Sequence, residues 1–374
     1  MVVALPQEVL EDIVDNLDSD IRALRTCALT CRALLPRSRK RLHSRFTIRF
    51  NTKTKERVKF YTEHPDLIDF VDTLEVYRPN GQNVTHILQN TTFPQVRTLI
   101  LHELRMWSGV RGIVDSLRTT YSSITSLSLE NISFDESNAW LAFVTSFRSL
   151  SSLTLRQVNE TQRPTNLKAT TGINLALLPI SPSLQYLSVD CSSGVVALAE
   201  FMKQAKVSPP VRTLVINSTN RHNAHEMFLT LFKNTVTRIS IAEKWGQFKD
   251  SDHALRECHQ LREVAVGFQL RDGTVPWVEN VLTSLNSPEL RELRLKVTSS
   301  ELLVHLRGKK SSKSLSQIDK ALVGLLFRSP GELKVFIDIP VSHRRVASLS
   351  EVTTQMQKRF PKCMARGILN FRYF

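Results

Sequence analysis

The chain has 374 residues, 41% hydrophobic and 23% charged, and its 50 Lys and Arg against 35 Asp and Glu give a formal net charge of +15. That length suffices for more than one small core, and no apolar run approaches the roughly 20 residues that span a bilayer. The cysteines Cys27, Cys31, Cys191, Cys258 and Cys363 lack paired spacing, which argues against a disulfide framework or a cysteine-built zinc site. With an acidic, amphipathic N-terminus in place of a basic and then apolar leader, this points to an intracellular protein, cytoplasmic or nuclear, with no membrane partner.

The positive charge is unevenly placed. Residues 1–20 carry six acids and no Lys or Arg, residues 21–60 carry thirteen basic residues against Glu56 alone, and residues 61–300 carry 23 of each sign. Residues 301–374 return to fourteen basic against five acidic. A groove reader of nucleic acid shows a continuous basic face with interleaved aromatics. The neutral middle lacks one, so solvated basic helices and a flexible loop at 308–313 are the favoured reading of the excess.

In chain order, the first predicted element is a helix starting at Pro6, whose fixed φ and missing N–H suit a first turn. Val9, Leu10, Ile13, Val14 and Leu17 form one wide apolar stripe on it, with Glu8, Glu11, Asp12 and Asp15 on the remaining surface. A second helix is signalled by Asp20 as N-cap, with Ile21, Leu24, Cys27 and Ala28 on one side, and Pro36 is expected to end the segment after that helix.

This segment resembles an F-box of the kind that precedes leucine-rich repeats in many fungal proteins. The match rests on Leu5, Pro6, Glu8, Val9, Leu10, Ile13, Leu17, Leu24, Cys31-Arg32 and Leu35-Pro36-Arg37-Ser38, with Leu34 standing where the family usually has tryptophan. The resemblance implies an all-helical module, residues 1–42. It implies that Leu5, Pro6, Val9, Leu10, Ile13, Val14, Leu17 and Leu24 contact a Skp-type adaptor, and through it a cullin.

From about residue 70 a phrase recurs, apolar-x-x-apolar-x-apolar. Its copies are Val71/Leu74/Val76, Val96/Leu99/Leu101, Ile124/Leu127/Leu129, Leu150/Leu153/Leu155, Leu184/Leu187/Val189, Val211/Leu214/Ile216, Val236/Ile239/Ile241, Leu261/Val264/Val266 and Leu290/Leu293/Leu295. The central positions are 25, 28, 26, 34, 27, 25, 25 and 29 residues apart, and all but one interval fits the leucine-rich-repeat period of about 20 to 29 residues. Phe46, Ile48 and Phe50 suggest a degenerate opening strand with Ile48 in register with Leu74. Helical patterns fill the gaps, such as Ile113/Val114/Leu117, Trp140/Leu141/Val144/Phe147, Val195/Leu198/Ala199/Met202, Phe228/Leu229/Phe232 and Val278/Val281/Leu282/Leu285.

The expected fold class is therefore α/β. The N-terminal helices lead into a right-handed leucine-rich-repeat-like solenoid of about nine to ten units over 43–300, parallel strands inside and helices outside. An irregular last repeat and cap come after it over 301–374, with a helix at Ile318/Leu322/Leu325/Leu326, a strand at Leu333/Val335/Ile337/Ile339 and a last helix at Val352/Met356/Phe360.

No phosphate loop, nucleophile elbow or metal motif is present, and His222/His225 and His253/His259 lack a third ligand, so neither a cofactor nor catalysis is expected. Residues alternating with the buried ones line the concave strand face. Tyr186, Arg238, Glu263, Glu292 and Arg294 are the candidates there for holding a target protein. The function the F-box resemblance implies is substrate recognition for an SCF-type ubiquitin ligase. The alternatives are a repeat scaffold outside any ligase, and a binder of nucleic acid or anionic surfaces through basic termini.

Overall fold

The computed structural model describes all residues except 1–4, 18–19, 50–51, 78–91, 104, 107–116, 118, 135–138, 161–179, 191–192, 219–223, 244–251, 269–274, 298–308, 329–332, 340–348 and 374. It is mixed α/β, and every strand pairing among the described residues is parallel. The chain divides into two compact units, Met1–Ser151 with Val158–Gly172, and Ser152–Gln157 with Ile173–Phe374.

The first unit begins with three helices, α1 (Gln7–Asp15), α2 (Ile21–Thr30) and α3 (Leu35–His43). Pro6 is the N-cap of α1 and its carbonyl accepts from the N–H groups of Val9 and Leu10, so the helix starts one residue later than predicted. Asp20 caps α2 as expected, its Oδ1 accepting from Ala23 N at 3.0 Å. Pro36 opens α3 and does not terminate it, because in a first turn proline gives up only an N–H that would have no helical partner.

Asp15 ties α1 to α3. Its Oδ1 accepts from Arg37 Nε at 2.7 Å and Arg41 Nε at 2.8 Å, and Arg37 Nη2 closes a second bond to Oδ2. The hydrogen bonds from Arg37 and then Arg41 hold this carboxyl well below the usual carboxylate range. A folded-state value below the ordinary one means the clamp is fully present above about pH 4 and is lost as pH falls further. Asp15→Ala is expected to lower the stability of the helical segment by about 1 kcal/mol. Urea unfolding followed by helical circular dichroism should show this at pH 7, with the difference shrinking at pH 3.

After α3 come β1 (Arg45–Arg49), α4 (Thr52–Glu63), a 3-10 turn (Pro65–Phe70), β2 (Thr73–Tyr77), β3 (Thr98–His102), β4 (Arg105–Met106), β5 (Ser126–Phe134) and α5 (Ala139–Thr145). Strands β1, β2, β3 and β5 are successive neighbours, and β4 adds to β5. Phe46, not Ile48, pairs with Leu74, and Ile48 pairs with Val76. Two elements, α4 and the 3-10 turn, occupy the connection and lengthen this first interval. The core side of these strands is the predicted phrase, with Leu74, Val76, Leu99, Leu101, Leu127 and Leu129 all buried. An aromatic knot of Phe46, Tyr61 and Phe93, with ring centroids 4.7 to 6.0 Å apart, fills the space beside the opening strand.

The second unit takes the first six residues of β6 (Ser152–Glu160) and continues as β7 (Tyr186–Asp190), α6 (Ser193–Gln204), β8 (Thr213–Ser218), α7 (Ala224–Phe232) and β9 (Arg238–Glu243). Next come α8 (Asp252–Arg256), β10 (Glu263–Phe268), α9 (Val275–Ser284), β11 (Glu292–Val297), α10 (Lys309–Arg328), β12 (Lys334–Ile339), α11 (Leu349–Arg359), α12 (Pro361–Ala365) and β13 (Leu369–Tyr373). Each strand pairs with the next, in a register that sets the central positions Leu187, Leu214, Ile239, Val264, Leu293 and Val335 side by side. The predicted helix faces are the buried ones, including Leu198 and Met202, Phe228 and Phe232, Val278 and Leu282, and Ile318 and Leu322.

The 309–313 segment expected as loop is the start of α10, since no Gly or Pro comes directly after Gly308 to interrupt the helical run. Gly308 itself lies outside the described residues, as do Ile113 and Val114 of the helix predicted at Ile113/Val114/Leu117.

Successive strands are joined at their entrances by a recurring backbone staple. One carbonyl of the preceding strand entrance accepts two consecutive N–H groups. Ser44 O takes Asp72 and Thr73, Asp72 O takes Arg97 and Thr98, and Arg97 O takes Thr125 and Ser126. In the second unit Gln185 O takes Arg212 and Thr213, Arg212 O takes Thr237 and Arg238, Thr237 O takes Arg262 and Glu263, and Arg262 O takes Arg291 and Glu292. The staple uses main-chain atoms only and satisfies these backbone groups whatever the side chain.

Candidate interaction surfaces

The helix stripe read from sequence splits into two rows. Leu5, Val9 and Ile13 lie four residues apart and are exposed, at 54%, 41% and 45%. Pro6 is exposed beside them, and Leu10 and Leu17 are half-buried. Val14 and Leu24 are fully buried. These two serve the interior of the helical segment and offer no surface to a partner; on α1 the row Val9, Ile13 and its neighbour Leu10, Val14 point to different sides of the helix. Ile21, Leu29 and Leu35 add further exposed apolar area on α2 and α3, where Arg22, Arg25, Arg32, Arg39 and Lys40 are also exposed.

On the first unit's strand face, opposite its leucine core, the register aligns Thr47 with Glu75 and puts Arg49, Tyr77, His102 and Glu130 in one row across four strands. Arg49 lies over one side of the Tyr77 ring, 4.8 Å from its centroid, and His102 stacks at 4.2 Å and 9°. Glu75 accepts from Tyr77 Oη at 2.9 Å and Thr47 Oγ1 at 3.0 Å, and its Oε1 is 3.2 Å from His102 Nε2. On its other side His102 Nδ1 is 3.2 Å from Glu130, which also accepts from Ser128 Oγ. Burial pushes the Glu75 carboxyl up, but the bonds from Tyr77 and Thr47, the Arg45 charge and His102 together bring it below its ordinary value. None of these residues stands out in the sequence, since Thr47, Glu75 and His102 are neighbours only through strand register.

On the second unit's strand face, Arg238, Glu263 and Glu292 occupy one row, and Arg294 stands in the next. Arg238 pairs with Glu263 at 2.9 Å and Arg294 with Glu292. Tyr186 is two strands from Arg238, with β8 between them. Four of the five predicted face residues are thus already paired with each other. Sequence reasoning passes over Lys296, Lys334, Phe336 and Arg372, which continue the same face on β11, β12 and β13; Arg372 escapes because β13 is not recognised as a strand.

Among the described residues no group of three His, Cys, Asp or Glu is placed to hold a metal ion, and no helix is long and apolar enough to cross a membrane. His222 of one candidate pair lies outside the described residues. Comparison with family models and with curated proteins gives no match to this chain.

Proposed function

We propose that the chain is a substrate-recognition adaptor of an SCF-type ubiquitin ligase, its helices forming an F-box and its strands a right-handed leucine-rich-repeat-like solenoid. The observation that carries this reading is the exposed pair Val9 and Ile13 on α1, with exposed Leu5 just before the helix, in a helical segment followed by parallel strand repeats. Leaving three large apolar side chains about half exposed forgoes about 1 kcal/mol each, roughly half of what full burial is worth. A cytoplasmic or nuclear Skp-type adaptor that covers the row recovers this, and through it the chain reaches a cullin. The repeats would hold a target protein near the incoming ubiquitin conjugate. Rate is gained by effective concentration, with the chain itself carrying out no transfer step.

The scaffold reading is favoured by one feature. Ser44, directly after α3, caps the first strand entrance by accepting from Asp72 and Thr73, as a purely structural N-terminal cap would. The two readings part on adaptor capture. The wild-type chain is expected to form a one-to-one complex with a purified Skp-type adaptor on size exclusion. Val9→Glu with Ile13→Glu is expected to weaken the complex by about a hundredfold, while the circular dichroism spectrum stays that of a folded chain and the melting temperature falls only slightly, because both side chains are about half exposed. Failure of the folded wild-type chain to bind any adaptor of this type overturns the ligase reading.

A further inference from the structure

We infer that the strand face of β11, β12 and β13 receives an anionic segment of a polypeptide, carrying carboxylate or phosphoserine side chains. The inference deepens the adaptor reading by naming the chemistry of the target. It rests on the second unit alone.

Three register rows make up this face. Glu292 and Lys334 form the first, Arg294, Phe336 and Asn370 the second, and Lys296, Asp338 and Arg372 the third. Four cations therefore face two carboxylates. Glu292 is taken by Arg294. Asp338 is only 7% exposed and stands between Lys296 and Arg372, so an incoming partner meets the cations first. Lys334 and Arg372 are exposed and Lys296 half-exposed, and none of the three forms an ion pair among the described residues.

Arg372 is held in a particular way. Its guanidinium carbon lies over the Phe336 ring, 3.5 Å from the centroid. A guanidinium stacked by its face keeps the N–H groups on its edge, and these match the two oxygens of a carboxylate or phosphate. Stacking also fixes the side chain before binding, so less rotamer freedom is lost when the anion arrives. Phe336 beside it supplies apolar contact for the stem of an acidic side chain.

The neighbouring strands favour a polypeptide over a nucleic acid. On β9 and β10 the same face carries Ser240, Ala242, Ala265 and Gly267, small enough for a main chain to lie close. Arg238 there is neutralised by Glu263. Strands about 4.8 Å apart give the basic face a width of about 10 Å, short of the continuous basic track with several stacking aromatics along which a nucleic-acid strand runs.

Fluorescence anisotropy on the full chain tests this with labelled twelve-residue probes: a Glu/Gly/Ser peptide, the same peptide with phosphoserine in place of Glu, a Lys/Gly/Ser peptide, and single-stranded and duplex DNA. One or both anionic peptides are expected to bind in a salt-sensitive manner, the stronger of them naming the source of the charge, and the Lys peptide is not. Lys334→Glu with Arg372→Glu is expected to weaken the anionic peptide at least about tenfold, and Arg372→Gln by a smaller factor, with adaptor capture and melting temperature unchanged. The proposal is overturned if neither anionic peptide binds, if charge reversal leaves binding intact, or if DNA binds more tightly than the peptides and depends on the same residues. Loss of the adaptor complex in wild-type protein would leave the peptide result standing, so the two readings fail separately.

Discussion

Glu75→Ala is expected to destabilise the first unit by about 1 to 3 kcal/mol, since three half-buried donors lose a charged acceptor at once and water replaces it only in part. Glu75 is 7% exposed, although it lies on the strand face opposite the leucine core. It is tolerated there because Tyr77, Thr47 and His102 all converge on its two oxygens. Without it, the stacking of Arg49 and His102 keeps the Tyr77 ring in place, and its half-buried hydroxyl exchanges a charged acceptor for water. Glu75→Gln separates shape from charge. It keeps one acceptor oxygen and the side-chain volume, and should recover about half of the loss.

The pH dependence gives a second, independent reading of the same contacts. The Glu75 carboxyl sits below its ordinary 4.5 in the folded chain, so its contribution is complete above about pH 4.5 and is lost as pH falls through the lowered folded value. Wild-type stability in urea should therefore decline more steeply below pH 4.5 than that of Glu75→Gln, in which the group cannot protonate. Hydrogen exchange of the β1, β2 and β3 amides reports the unit locally, which matters in a chain with two compact units. Equal exchange in wild type and Glu75→Ala would remove the network from any account of this unit's stability.

How much of the fold is legible in the sequence depends on the range over which each signal acts. Leu99/Leu101 or Leu293/Leu295 announce a strand because alternation and burial are local, and both pairs are in the core of observed parallel strands. The register expected for β1 is off by two residues because α4, with Lys53, Lys55, Arg57 and Lys59, carries too little apolar patterning to be recognised. β13 escapes notice for a related reason. Only Leu369 of its five residues is buried, so its membership depends on pairing with β12. On α1 the width of the apolar stripe is legible, but periodicity does not say which of two adjacent rows turns inward. Val14 does, and Val9 does not. The Glu75 network and the Phe336–Arg372 stack arise from residues 28 and 36 positions apart in the chain, where no local pattern reaches.

Asp319→Ala is expected to release the C-terminal end of the second unit at a cost of about 2 to 3 kcal/mol, the range for hydrogen bonds to a charged group in a buried setting. The first N–H groups of a helix have no partner within it, and Phe360, the N-cap of α12, supplies none from its side chain. Asp319 does so from α10, 44 residues away from Cys363. Its Oδ1 accepts from Cys363 N and its Oδ2 from Lys362 N, both at 3.1 Å. The carboxylate is 2% exposed and sits among Leu315, Ile318, Leu322 and Leu325 on the buried face of α10. A carboxylate in that position is sustained by the two N–H groups, the Cys363 thiol beside it and the positive end of the helix they open. Asp319→Asn retains one acceptor and should lie between alanine and wild type. Because α12 leads into β13, the loss should appear as faster amide exchange from Lys362 to Tyr373, while β7 to β10 keep their protection. It should also loosen Arg372 from Phe336 and so weaken the anionic peptide, without touching any residue of that face. Uniform exchange across the unit, or protection of β13 undiminished in Asp319→Ala, would show that α12 is held by its packing and not by this carboxylate.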